Sequence, residues 1–146
     1  MALRPRTLTI DRPDPADRAM LSWLNRELHA ENGFSLSPRS ARESIETLLL
    51  NGHKVATARL GTQLAGYALW WERSESIYIR HFVIRPELRR QGIGLAFARL
   101  LMRRLPKDKT LRLDARTRSA RAFWRAVGFR TAVRGFRYPG DEESAR

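Results

Sequence analysis

Arg89, Arg90, Gly92 and Gly94 carry the clearest chemistry in the sequence, within the run Arg89-Arg90-Gln91-Gly92-Ile93-Gly94. Glycines at a strand-to-helix turn let a ligand come close to the main chain. The N–H groups at a helix start converge on one point, and the helix dipole favours negative charge there. Two arginines beside that point can add charge-assisted hydrogen bonds. Holding a phosphate is the chemistry these six residues suit. The run is not a Walker motif, because Gly-Lys-Ser/Thr is missing, and it lacks the third glycine of a dinucleotide fingerprint.

The elements around the run are those that an anion-binding turn needs. Residues 77–84 are β-branched or aromatic at most positions and read as a largely buried strand, ended by Pro86. From Ile93 the apolar residues Ile93, Phe97, Leu100 and Leu101 recur at helical spacing, and Pro106 marks the end of that helix. Upstream, residues 6–11 alternate as a short strand, and Asp14-Pro15 opens a helix with Asp as N-cap, which Asn32-Gly33 stops. Ser37-Pro38 opens a second helix, closed by Asn51-Gly52. Residues 54–60, 63–71 and the strand from Ile77 form an antiparallel meander. Downstream come a strand over 110–114, a helix with Ala120, Phe123, Trp124 and Val127 on one face, a left-handed cap at Gly128, a last strand over 129–138, and a polar tail over 140–146 that frays.

The chain has 146 residues, enough for one domain with a real core. It contains no cysteine, which excludes disulfides, thiolate nucleophiles and cysteine-based zinc sites. Its three histidines, His29, His53 and His81, are scattered, so no metal is expected. No stretch has the length and apolarity of a membrane span, and the N-terminus lacks the apolar core of a signal peptide, so a cytoplasmic protein is expected. Lys and Arg number 28 against 15 Asp and Glu, a net charge of +13. Residues 85–137 hold 16 of the bases and 3 of the acids, and the remainder holds 12 of each. The whole excess lies beside the anion-binding turn, where it would draw in a polyanion and raise its encounter rate. Arginine-rich genome composition is a second source for part of it. Nucleic acid is not the expected polyanion, because no reader motif or aromatic–basic stacking pattern accompanies the charge.

Arg89-x-x-Gly92-x-Gly94 matches the Arg/Gln-x-x-Gly-x-Gly/Ala motif of the GNAT superfamily of N-acetyltransferases. The neighbours also match: a preceding Phe82-Val83-Ile84 strand, a Leu111-Arg112-Leu113 strand, and a helix ending Phe123-Trp124 before Gly128-Phe129. The chain thus resembles a small single-domain member over residues 1–146. The resemblance implies an α/β (α+β) fold, a mixed and largely antiparallel central sheet flanked by about four helices in the order β-α-α-β-β-β-α-β-α-β. It implies acetyl-CoA as cofactor and transfer of its acetyl group to a primary amine of a small molecule or peptide by direct attack on the thioester. Two other outcomes stay open: a protein or peptide N-terminal acetyltransferase with an open groove, and a CoA-binding module with little catalysis. Family members are often dimers, so a homodimer is compatible.

In that family the two central strands splay and the cofactor lies in the gap. The resemblance therefore implies that the backbone of Phe82, Val83 and Ile84 pairs with the pantetheine arm, and that N–H groups of Arg89, Arg90, Gln91, Gly92, Ile93 and Gly94 hold the pyrophosphate. Thr117 stands where an Asn commonly contacts the pantetheine, and its hydroxyl serves there or caps the helix. Trp124 replaces the usual acid, a Tyr. Its indole N–H is a donor that can line the pocket but cannot supply a proton usefully. No family Glu is evident as base, and Arg112 stands where some relatives carry it. His81 is the best remaining base, with an ordinary pKa near neutrality; it also fits a histidine packed on a sheet face. Tyr78 and Tyr138 are the candidate acids. The acceptor pocket is implied between the first two helices and the loops near them, with Glu31 able to pair a cationic amine, and with His29, Phe34, Leu36, Trp70 and Trp71 as walls.

Overall fold

The structure, a computed structural model, describes residues 7–131 and 136–138, with side chains through Arg130. β1 (Leu8–Asp11) leads into a 3-10 turn, Pro15–Asp17, and then α1 (Arg18–Glu31). The first helix therefore does not start on Asp14 directly. The Asp17 carboxylate accepts from the Asp14 backbone N–H at 2.7 Å and also pairs with Arg59 of the sheet, which holds one tight turn ahead of the α-helix. α2 (Pro38–Leu50) begins where Ser37-Pro38 predicts, with the Ser37 hydroxyl accepting from Ser40 N–H at 3.0 Å. Such a cap stabilises a helix by about 1 kcal/mol.

The meander follows as β2 (Lys54–Leu60), β3 (Gln63–Glu72) and β4 (Ser76–Ile84). After it come α3 (Ile93–Arg104), β5 (Thr110–Leu113) and α4 (Arg118–Val127). The chain closes with β6 (Arg130–Thr131) and β7 (Phe136–Tyr138), which pair antiparallel with each other. One last strand over 129–138 is therefore replaced by two. The expected tail over 140–146 lies outside the described residues. The sheet runs β1-β2-β3-β4-β5-β7-β6, antiparallel throughout except for the parallel β4–β5 pair. This is the mixed, largely antiparallel α/β fold that the resemblance implies.

The core has two sides. On one, Phe97 and Leu101 of α3 and Trp124 of α4 pack with Ile77, Ile79 and Ile84 of β4. On the other, Leu21 and Leu24 of α1 and Ile45 of α2 pack with Tyr67, Leu69 and Val83. Each fully buried Leu of this kind contributes about 1.5–3 kcal/mol. A one-residue shift makes both sides possible: Leu69 pairs with His81 and Trp70 with Ile79, leaving Arg80 as an extra residue in β4. Such a bulge flips the side-chain alternation beyond it. Ile77 and Ile79 face α3 before the bulge and Ile84 does after it, while His81 and Val83 turn toward α1 and α2. Among the described residues, no helix is long and apolar enough to cross a membrane.

Candidate active site

β4 and β5 pair only from Ser76↔Thr110 to Ile79↔Leu113. Beyond that point β4 continues to Ile84 along β3, while β5 has ended. The two strands part at the Arg80 bulge, and residues 80–84 border a cleft of about 840 Å³. Phe82 floors it among aromatic rings, 4.9 Å from those of Phe97 and Trp124. Trp124 is buried there against Phe123 and Phe129, so it walls the cleft as core. Thr117 lines the cleft and caps α4, accepting from Ala120 N–H at 3.1 Å.

At the end of β4 the chain turns through the arginine–glycine loop into α3. Gly92 is the helix N-cap, with φ +78°, and a Cβ built there would meet only open space. Arg90 also takes a left-handed φ of 63°, a conformation that costs a non-glycine residue about 1–2 kcal/mol. The first N–H groups of α3 have no partner within the helix and open toward this point. Gly94 serves differently: its Cβ would lie 3.3 Å from Phe123 and 3.5 Å from Ile84, so it lets α3 dock against α4 and β4. Arg89 lays its Nε on the Ile84 carbonyl at 3.0 Å and pairs with Glu31 of α1, leaving Nη2 buried without a partner. Gln91 bonds to the Glu87 carbonyl, and Ile93 packs against the core.

The ionisable side chains His81 and Tyr78 also line the cleft. Tyr67 is fully buried and its hydroxyl lies 3.0 Å from His81 Nδ1. Burial pushes the Tyr67 pKa upward, so the phenol keeps its proton and needs an acceptor. His81 Nδ1 is that acceptor, which leaves the neutral ring with its proton on Nε2. Burial, followed by the charges of His29, Arg80 and His53, lowers the His81 pKa to about 3. His81, expected as a base, lines the cleft with its Nδ1 engaged by Tyr67. Tyr78 donates its hydroxyl to Asp114 at 2.7 Å, and burial, with Asp114 next, pushes its pKa up to about 12. Tyr78 thus holds its proton beside the strand opening. The side chain of Tyr138 lies outside the described residues; its backbone pairs with Leu111.

Glu31 and Phe34 both line the cleft, Phe34 with 54% of its surface exposed. Glu31 is engaged by Arg89, so a cationic amine would have to share its carboxylate. Trp70 is not brought to the cleft. It is buried on the α3 side of the sheet, where the Arg80 bulge pairs it with Ile79. His29, taken from the sequence only as a wall, stands with its ring 5.8 Å from that of His81.

A mixed sheet opening between two parallel strands, above a glycine-rich helix start, defines a GNAT-type acetyltransferase fold. Residues 26–140 match the family model described as an acetyltransferase (GNAT) domain, and the chain belongs to that family. Its fold is similar to that of an acetyltransferase from Thermus thermophilus, with a TM-score of 0.72 and 18% identity over 92% of this chain and 96% of that one. It is also similar to the ribosomal-protein-S18-alanine N-acetyltransferase of Escherichia coli, with a TM-score of 0.67, 20% identity, and 87% and 80% of the two chains covered. A third is the PaiA N-acetyltransferase of Thermoplasma acidophilum in complex with coenzyme A, with a TM-score of 0.64, 17% identity, and 90% and 96% covered. At these identities the likeness speaks for the fold. No curated protein matches the chain by sequence.

Proposed function

We propose that residues 1–146 form one N-acetyltransferase domain that uses acetyl-CoA to acetylate a primary amine of a small molecule or peptide, by direct attack of the amine on the thioester. The opening between β4 and β5, ending at the arginine–glycine loop, carries this proposal. The residues present fit the cofactor: Gly92 leaves open space at an anion-binding helix start, and Arg89 keeps a buried guanidinium nitrogen without a partner. When bound, the cofactor supplies an acetyl group activated as a thioester. Residues 82–84 offer it a strand edge that β5 does not occupy. The first N–H groups of α3, with Arg89 and Arg90, receive its pyrophosphate. Phe82 and Trp124 exclude water from one side. Holding both reactants in line is worth about 7–11 kcal/mol of the barrier. His81 Nε2–H adds a protonated donor to the same cleft, while the Tyr78 proton is held on Asp114.

Titration calorimetry with acetyl-CoA on wild type and Gly92→Glu tests the proposal, followed by assay of free thiol on adding amines. The glutamate strains a φ of +78° and brings negative charge to the anion point. The expected outcome is binding by wild type, loss of binding in the variant, and amine-dependent thiol release. Unchanged affinity in a folded Gly92→Glu would overturn the cofactor site. Binding without thiol release from any amine would favour a CoA-binding module.

A further inference from the structure

We infer that His29 is the general base of this cleft, its Nε2 taking the proton from the acceptor ammonium. The assignment rests on the N-acetyltransferase proposal above. His29 lies in the last turn of α1 with Nδ1 2.9 Å from the Asn25 carbonyl oxygen. A carbonyl only accepts, so Nδ1 carries a hydrogen and the neutral ring keeps its lone pair on Nε2. That geometry is braced from behind. Asn25 is fully buried and its Nδ2 donates to the Ala41 carbonyl of α2 at 3.0 Å, which fixes the α1 turn that orients the ring.

The two other histidines and the carboxylates of the cleft each hold a protein partner, the carboxylates with further lone pairs to spare. His81 Nδ1 accepts from Tyr67, and His53 Nε2 accepts from Arg80 at 3.2 Å. Asp114 accepts from Tyr78, and Glu31 is paired with Arg89. Among the described residues, His29 Nε2 is the cleft nitrogen with a lone pair and no protein donor on it. The titratable group set against it is His81 of β4, which in turn meets Tyr67 of β3 and the charges of Arg80 and His53; Glu31, two residues on in α1, is paired with Arg89 of the loop. His81 is its complement. One ring presents N–H and the other a lone pair, in T-shaped contact at 5.8 Å.

The step balances. An ammonium gives one proton to His29 Nε2, and the freed nitrogen lone pair forms the C–N bond to the acetyl carbon while the C–S bond breaks. Sulfur leaves with the electron pair and takes up the second nitrogen proton, and His29 returns its own proton to water. Products are amide, thiol and one released proton.

The test compares wild type, His29→Gln and His29→Ala, with acetyl-CoA and either butylamine or an alanyl dipeptide as acceptor, by thiol release across pH. Acetyl-CoA affinity by calorimetry serves as the folding and binding control. The expected result is a kcat lower by about 10²-fold in both variants with cofactor affinity unchanged. The rising limb of the pH–rate profile should move to higher pH, because the amine then has to lose its proton unaided. Added imidazole should restore part of the rate to His29→Ala. Nitrogen-15 NMR of wild type reads the tautomer without any activity and should find the neutral His29 ring protonated on Nδ1. An Nε2-protonated ring, or a His29→Gln enzyme with wild-type kcat and pH profile, overturns the assignment. A wild type that binds acetyl-CoA and releases no thiol with either amine overturns the transferase proposal beneath it.

Discussion

His81 couples stability to pH through its burial. Its folded pKa is lowered to about 3 from an ordinary value of 6.5, so between those values the unfolded chain binds more protons than the folded one. Stability is therefore full above pH 6.5 and falls as the pH drops from there toward 3, by up to about 1.4 kcal/mol per unit. His81→Gln can still accept from the Tyr67 hydroxyl but carries no titrating ring. Urea midpoints measured from neutral pH downward should decline less steeply in that variant, and equal slopes would mean that His81 does not set the acid limb. At this scale the sequence was legible where chemistry depends on near neighbours. Arg89, Gly92 and Gly94 pointed by type and spacing to the loop at the start of α3, which the structure shows with Gly92 as N-cap, although Gly94 turns out to admit Phe123 to the helix surface. The proton roles of His29 and His81 were not legible. They depend on which atom opposes each ring nitrogen, and for His81 that is the hydroxyl of Tyr67, on a different strand.

Elements, unlike these rings, were readable nearly throughout, because periodicity and caps are local. Ser37 and Gly128 bound their helices where expected. Three things escaped: the 3-10 turn before α1, the splitting of the last strand, and the extra residue at Arg80. The split strand and the bulge are matters of pairing register, which alternation along one segment does not fix, and the 3-10 turn is held by Asp17 pairing with Arg59 of a distant strand. The bulge matters most, since β4 parts from β5 there and the side-chain alternation of β4 flips across it. A second consequence of element packing is the Glu31–Arg89 pair, which ties the last turn of α1 to the loop before α3 across the cleft. Arg89 cannot give its whole guanidinium to a phosphate while Glu31 holds it. Both side chains are partly exposed, so the pair is worth about 0–1 kcal/mol. Glu31→Gln should therefore tighten acetyl-CoA binding by no more than about five-fold in calorimetry. A weakened affinity would show instead that the pair holds the loop in its binding shape.

Over the whole molecule, charge is the property that no single element explains. The +13 resides in residues 85–137, which supply the loop, α3, β5 and α4 on one side of the cleft. Arginines exposed on those elements contribute little to the fold, but their summed field reaches across about 10 Å at 0.1 M salt and about 3 Å at 1 M. A ligand carrying a pyrophosphate and a 3′-phosphate would be steered by that field before it touches the loop. The association rate of acetyl-CoA should then fall by at least about ten-fold as salt rises between those limits, while dissociation changes less. Trp124 lines the cleft and gives an optical signal for stopped-flow measurement. Dephospho-CoA, which lacks the 3′-phosphate, should show a shallower dependence. An association rate indifferent to salt would mean that the arginines reflect composition alone, and that recognition is confined to the helix start and the strand edge.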